Sequence, residues 1–252
     1  MRTRGAAVPA PLRGTAAVVL DTDGVITDSA RVHAAAWKTA CDTFLRSRTP
    51  AGTAAGRPFD AREDYLRYVD GRSRLDGART FLESRGLHPG EDELRGLAAR
   101  KEALFTARLR EHGVDAYPGT VLLLRTLRAA GVPLAAVSAS RHAAELLERA
   151  GLRGLFDVLV DGGEAARLRL PGKPDPALFR ETVRRLGVCA HRAAVVEDAL
   201  AGVEAARRGA FGLVIGVDRS HSPATRVRLL RHGADLVVDD LARLLVLEDL
   251  AG

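Results

Sequence analysis

The sequence has no long apolar run. Nothing in its 252 residues approaches the ~18 consecutive apolar residues that a bilayer-spanning helix needs, so no membrane association is expected. Residues 1–14 carry arginines but no apolar stretch suited to a secretory signal, and they read as a disordered lead-in to the first strand. Cysteine is scarce. Cys41 and Cys189 are the only two; they lie far apart without metal-site spacing, so two free thiols in a reducing, cytoplasmic setting are expected rather than a disulfide framework. Aromatics make up only 4% of the chain, and no basic tract is interleaved with them. The net charge of +6, from 38 basic against 32 acidic residues, therefore reads as an arginine-rich solvated surface and not as a nucleic-acid face. A positive field of this kind would also draw in a phosphorylated metabolite. No internal repeat of fixed period is present.

What remains is the composition of an ordinary globular protein, 46% hydrophobic and 28% charged, with a core built from Ala, Leu and Val. The length fits one large or two small domains. An apolar run at 16–20 reads as a strand buried on both faces. A helix is expected over 29–46 with Ser29 as its N-cap, then a Gly/Pro/Thr/Ala-rich loop over 47–59. From 60 to 113 only helical periodicity appears, with helices expected at 61–69, 75–85 and 91–112. Beyond Tyr117-Pro118-Gly119 strands and helices alternate: helices at 120–130, 141–150, 176–186, 199–208, 223–231 and 241–249, and strands at 133–137, 158–160, 193–196, 211–215 and 236–238. This pattern predicts an α/β fold, a doubly wound parallel sheet of Rossmann-like type, interrupted after its first strand by an all-helical insert. The expected division is a core of residues 14–29 and 116–252 and a cap of residues 30–115.

Chemistry-bearing residues gather just past the apolar runs. Asp21-Thr22-Asp23-Gly24 follows the first strand. Two carboxylates at the C-terminal end of a parallel strand stand where ligands bind in such sheets, and Gly24 lets the chain turn sharply behind them. Paired acids at a buried edge call for a cation, for which Mg²⁺, with its oxygen ligands, water and substrate phosphate, is suited. One of the acids can attack phosphorus. Ser138 follows the next run and suits a phosphate oxygen near the amides of a starting helix, while Ser140 reads as that helix's cap. Lys173, in Gly172-Lys173-Pro174-Asp175-Pro176, is a point charge on a stiff backbone. Glu197-Asp198 closes the set as further candidate metal ligands, with capping of the next helix by Asp198 as the competing reading. Asp/Asp, Ser, Lys and Glu/Asp supply each part that phosphoryl transfer needs once: nucleophile, proton donor, metal and cover for the phosphate oxygens.

These four stations resemble the four motifs of the haloacid dehalogenase superfamily. The run Asp23-Gly24-Val25-Ile26-Thr27-Asp28, with His33 and Trp37 after it, is similar to the β-phosphoglucomutase-like family with a helical cap, as are Ser138-Ala139-Ser140 and Glu197-Asp198-Ala199-Leu200-Ala201-Gly202-Val203. The resemblance implies Asp21 as nucleophile and Asp23 as general acid/base. It implies Mg²⁺ held by Asp21, the Asp23 carbonyl and Asp198 with Glu197 nearby, and Ser138 and Lys173 on the transferring phosphoryl group. His33 and Trp37 would face the substrate from the cap side. Arg74, in Gly71-Arg72-Ser73-Arg74, would grip a second phosphate together with Ser140 and Arg141. The implied activity is conversion of β-glucose 1-phosphate to glucose 6-phosphate through an aspartyl-phosphate, with glucose bisphosphate as a possible activator. The alternatives are a phosphatase acting on a small sugar phosphate at the same site and a non-catalytic sugar-phosphate-binding regulator. Three features depart from the family pattern: Asp70 stands where a cap lysine is usual, His142 where an asparagine is usual, and the 47–59 loop is long.

Overall fold

The computed structural model describes residues 7–50 and 52–246. Its frame is a six-stranded sheet in the order β3-β2-β1-β4-β5-β6, with every pair parallel. The strands are β1 (Ala17–Asp21), β2 (Leu134–Val137), β3 (Val158–Val160), β4 (Ala193–Glu197), β5 (Leu213–Val217) and β6 (Leu236–Val238). Alternate residues of β1 point into opposite cores, as the period of two requires. Val18 and Leu20 pack with Leu134, Ala136, Val196 and Ile215 on one face, while Ala17 and Val19 pack with Ala135, Val137, Val195 and Val214 on the other.

Register explains why distant motifs meet. Asp21 pairs with Val137, so Ser138 is the next residue past the neighbouring strand's tip. On the other side Leu20 pairs with Val196, which sets Glu197 level with Asp21. Strand order reverses at β1, the switch point where open α/β sheets leave a crevice. Thr22 fixes this edge: its N–H and its hydroxyl both donate to the Val137 carbonyl, each at 2.9 Å.

Between β1 and α4 (Pro118–Ala129) the regular elements among the described residues are helical: α1 (Ala30–Arg48), a wide turn at Tyr65–Val69, α2 (Arg74–Ser84) and α3 (Glu91–His112). These helices bury a core of their own around Trp37, Leu45, Phe59, Phe81 and Leu94. A smaller cluster of Ala36, Phe105, Leu109 and Leu146 joins α1 and α3 to α5 (Ala143–Arg149) beside the sheet. The remaining helices are α6 (Gly162–Arg167), α7 (Ala177–Leu186), α8 (Leu200–Arg208) and α9 (Pro223–His232). Among the described residues no helix is long and apolar enough to cross a membrane.

The expected elements are present with specific differences. The lead-in expected over 1–14 contains a short 3₁₀ turn at Ala10–Leu12, and its residues 1–6 lie outside the described residues. Ser29 occupies the N-cap position of α1, but its backbone is already helical and its hydroxyl accepts no helix N–H; it donates to the Asp23 carboxylate at 2.6 Å. The helix expected over 61–69 is only the five-residue π-type turn Tyr65–Val69, closed by the Asp70 N–H on the Tyr65 carbonyl at 2.9 Å. Helix α6 was not expected; six residues opening on two glycines carry too little periodicity to read. It places Lys173 on a loop beyond α6 instead of at a strand tip. The fifth strand begins two residues later than expected, at Leu213, because Gly212 is spent on close approach to the His191 carbonyl. The helix expected over 241–249 is a 3₁₀ turn at Leu241–Leu245, and residues 247–249 lie outside the described residues.

Candidate active site

Asp21 ends β1, buried, with both carboxylate oxygens engaged. Its Oδ1 accepts from Lys173 Nζ at 2.5 Å and its Oδ2 from the Asp23 N–H at 2.9 Å. Lys173 also donates to Glu197 Oε1, and its ammonium lies 4.9 Å from the centre of the Phe179 ring. The second oxygen of Glu197 accepts the Ala199 N–H at 2.7 Å. It is thus Glu197, not Asp198, that holds the start of the following helix, and with both oxygens occupied Glu197 stands beside a candidate metal site rather than open toward it.

Asp23 lies one turn further on in a cage of donors. Ser29 Oγ donates to Oδ1 at 2.6 Å and Ser138 Oγ donates to Oδ2 at 2.7 Å, while His33 Nε2 sits 3.2 Å from Oδ1. Burial pushes the Asp23 carboxyl upward, but His33 and the three hydrogen bonds outweigh it and hold the group well below the usual carboxylate range. Ser138 in turn accepts the Ser140 N–H at 2.8 Å, and Ser140 Oγ accepts the His142 N–H at 3.2 Å.

The opposite imbalance marks Asp21 and Asp198. Burial raises both carboxyls well above their ordinary values. The charges of Glu197 and Asp23 add to this at Asp21, and those of Asp70, Glu197 and Asp21 at Asp198; Lys173 opposes it at each. The cluster therefore lacks positive charge. Oxygen donors with excess negative charge fit a hard divalent cation. Among the described residues no three His, Cys, Asp or Glu side chains converge closely enough to hold an ion by themselves, so a shell here would also need a backbone carbonyl and water.

The cavity above this edge is lined by Asp21, Asp23, His33, Trp37, Arg74, Ser140 and Asp198 among the expected residues. Ser138, Lys173 and Glu197 lie just behind its wall. Arg141 is not brought in: it is exposed and lines a neighbouring pocket, which Arg74 shares.

Tyr65 and Lys101 of the wall, and Phe105 behind it, are not among the expected site residues. Lys101, buried in α3, places Nζ 2.7 Å from His33 Nδ1, and burial brings its pKa down to about 8. Phe105 stacks on His33 with ring centres 4.0 Å apart. Tyr65 lines the cavity beside Asp70, whose carboxyl burial and the Glu197 charge push up to about 7. The signal for Lys101 was present: Leu94, Leu97, Ala98, Lys101, Phe105 and Leu109 form one buried stripe at helical spacing, and a lysine on such a stripe has to be pointed at something.

Comparison with known proteins shows the family and the fold. The haloacid dehalogenase-like hydrolase family pattern matches residues 15–209. A β-phosphoglucomutase of Mycobacterium bovis is 39% identical over 97% of this chain and 96% of its own length. A phosphorylated carbohydrates phosphatase of Thermotoga maritima is 28% identical over 88% of this chain and 93% of its own. The crystal structure of a β-phosphoglucomutase from Clostridium difficile superposes with a TM-score of 0.71 at 24% identity, covering 91% of this chain and 93% of that one, and so shares the fold.

Proposed function

The chain belongs to the β-phosphoglucomutase-like family of haloacid dehalogenase-like hydrolases and is an enzyme, and from that premise we propose that it moves a phosphoryl group between oxygens of a phosphorylated sugar by way of an aspartyl-phosphate on Asp21. The most specific reading is conversion of β-glucose 1-phosphate to glucose 6-phosphate, with glucose bisphosphate as the activator that first phosphorylates Asp21. One observation carries it: two carboxylates two residues apart are held in contrasting environments, Asp21 on the Lys173 ammonium and Asp23 in a cage of Ser29, Ser138 and His33. The Lys173 ammonium on Asp21 favours the charged carboxylate that a nucleophile needs, and the hydroxyl and imidazole partners of Asp23 form a set through which a proton can be exchanged.

In this reading Asp21 bonds to phosphorus as the bond to the donor oxygen breaks, and Asp23 exchanges the proton of the departing or attacking hydroxyl. The ionised state in which its donors hold Asp23 is the one that accepts a proton. Lys173 and Ser138 lie where they would neutralise and orient the phosphoryl oxygens. Mg²⁺ would be held by Asp21, the Asp23 carbonyl and Asp198, with Glu197 nearby, and would supply charge neutralisation at the phosphoryl group. Residues 30–115 would act as a cap that keeps water from the aspartyl-phosphate, with His33 and Trp37 facing the sugar and Arg74 and Ser140 its far end. The two free cysteines, Cys41 and Cys189, accord with action in the cytoplasm.

A phosphatase reading is favoured by the Thermotoga maritima relative and by Asp70, an acid on the cavity wall. Product analysis separates the two. With β-glucose 1-phosphate, glucose 6-phosphate is expected, and faster with added glucose bisphosphate. Release of inorganic phosphate without glucose 6-phosphate would establish hydrolysis instead.

A further inference from the structure

One carboxylate outside the catalytic edge is shared by the helical insert and the sheet domain. Glu102, on α3, places Oε2 2.8 Å from Arg74 Nη1 at the start of α2 and Oε1 2.8 Å from His142 Nε2, just ahead of α5. All three side chains are mostly buried, with 23%, 25% and 17% exposed for Arg74, Glu102 and His142. Among the described residues Arg74 makes no other ion pair or hydrogen bond, yet it lines the cavity. Glu102 stands behind it, outside the cavity lining. The guanidinium is thus held by one nitrogen from the rear, and its remaining donors are left for the cavity.

The neighbours of Glu102 reinforce this geometry. Lys101, the preceding residue, reaches the His33–Asp23 pair. Phe105, one turn later, stacks on His33 and lies with its ring centre 5.3 Å from that of His142. Adjacent residues of α3 therefore reach the proton-carrying aspartate by way of His33 and the far end of the cavity by way of Arg74.

We propose that Glu102 is a positioning residue: it aims Arg74 into the cavity and, through His142, latches the helical cap to the sheet domain, so that the cap closes with the far-end cation already oriented for the anionic part of a sugar phosphate. The role of Arg74 toward a ligand rests on the phosphoryl-transfer reading above; the latch does not. Burial of a charge-assisted pair on both sides of the domain junction makes the closed arrangement the one in which Glu102 is fully satisfied.

The test has two arms on the full chain with Mg²⁺. Trp37 is the only tryptophan and is buried on the cavity wall, so acrylamide quenching of its fluorescence without sugar reports cap opening. Glu102→Ala and Glu102→Gln are expected to raise the quenching constant roughly two- to threefold with far-ultraviolet dichroism unchanged. His142→Gln is expected to do the same, and the Glu102→Gln/His142→Gln double variant no more than either alone. In the kinetic arm, Glu102→Ala raises KM for β-glucose 1-phosphate about tenfold, with the larger share of the effect on KM rather than kcat; the rise is smaller for acetyl phosphate, which has no far end to reach Arg74. Quenching equal to that of the unaltered protein removes the latch. Unchanged or tighter binding of the sugar phosphate removes the positioning role and makes Glu102 a competitor for Arg74. Should the unaltered enzyme not act on the sugar phosphate, the function reading fails and the quenching arm alone decides the latch.

Discussion

Lys173 holds together two acids that cannot otherwise remain charged where they are. Its side chain has no exposure, and neither has that of Glu197. The two carboxylates raise its pKa further, so it stays protonated although burial works against the charge. Removing it leaves Asp21 and Glu197 facing each other without compensation. Lys173→Ala is expected to cost about 3 kcal/mol in urea unfolding; a loss below about 1 kcal/mol would mean the pair is solvated and the site is not the dry cluster described. At this scale the sequence was most informative where short motifs carry their own chemistry. Asp21, Asp23, Ser138, Lys173 and Glu197 could be named from spacing because each follows an apolar run or a rigid Gly/Pro frame. The apolar stripe of α3 marks Lys101, but Glu102, off that stripe, reads as a solvated charge until its partners on other elements are known. Arg141, exposed in a pocket that Arg74 also lines, stays an expectation.

At the scale of the element, the turn after β1 sets the geometry of the edge. Gly24 has φ +85° and a Cβ there would lie 1.9 Å from Asp198 Oδ2. Gly131 shares the left-handed backbone, φ +74°, but a Cβ there meets nothing within 4 Å. Both glycine-to-alanine changes are expected to lower stability by about 1 kcal/mol or more. Only Gly24→Ala should also abolish turnover, because it drives Asp198 from its place. Equal activities in the two variants would show that the Asp198 position is not needed. Element types were legible wherever a helix or strand buried a long face, as in α1, α3 and the inner strands. Short pieces escaped because their stability comes from surroundings: α6 is held by the Asp161 cap, whose Oδ1 accepts from Gly163 and Glu164 at 2.9 and 3.0 Å, and the π-type turn by packing that brings Tyr65 and Val69 to the cavity.

At the scale of the molecule, the alternation of strands and helices with one helical interruption was enough to foretell the doubly wound sheet and its cap. What pattern alone could not give was the register that levels Asp21 with Glu197 and sets Ser138 beside them, or the ties across the domain junction. Those ties should be visible in the pH dependence of stability. The hydrogen bond to Glu102 raises the His142 pKa above its ordinary 6.5, although burial opposes it. Burial pushes Glu102 upward, but His142, Arg74 and Lys101 bring it down to about 2 from 4.5. The histidine term is complete below pH 6.5 and fades as pH rises through its higher folded value. The carboxylate term is complete above pH 4.5 and fades as pH falls toward 2. The stability difference between the unaltered chain and His142→Gln should therefore be greatest, as a plateau, between pH 4.5 and 6.5, at about 0.5–1 kcal/mol for a half-buried pair; a difference that falls off neither below that window nor above it would contradict the ion pair.

The central claim, that Asp21 carries the phosphoryl group, is most directly tested by incubating the enzyme and Mg²⁺ with phosphate-labelled glucose bisphosphate, quenching in acid and mapping the label by peptide mass spectrometry. The account predicts an acyl-phosphate on Asp21, its loss in Asp21→Asn, and a fall in turnover of roughly ten-thousandfold in that variant with thermal unfolding little changed. A label on another residue, or full activity in Asp21→Asn, would contradict it.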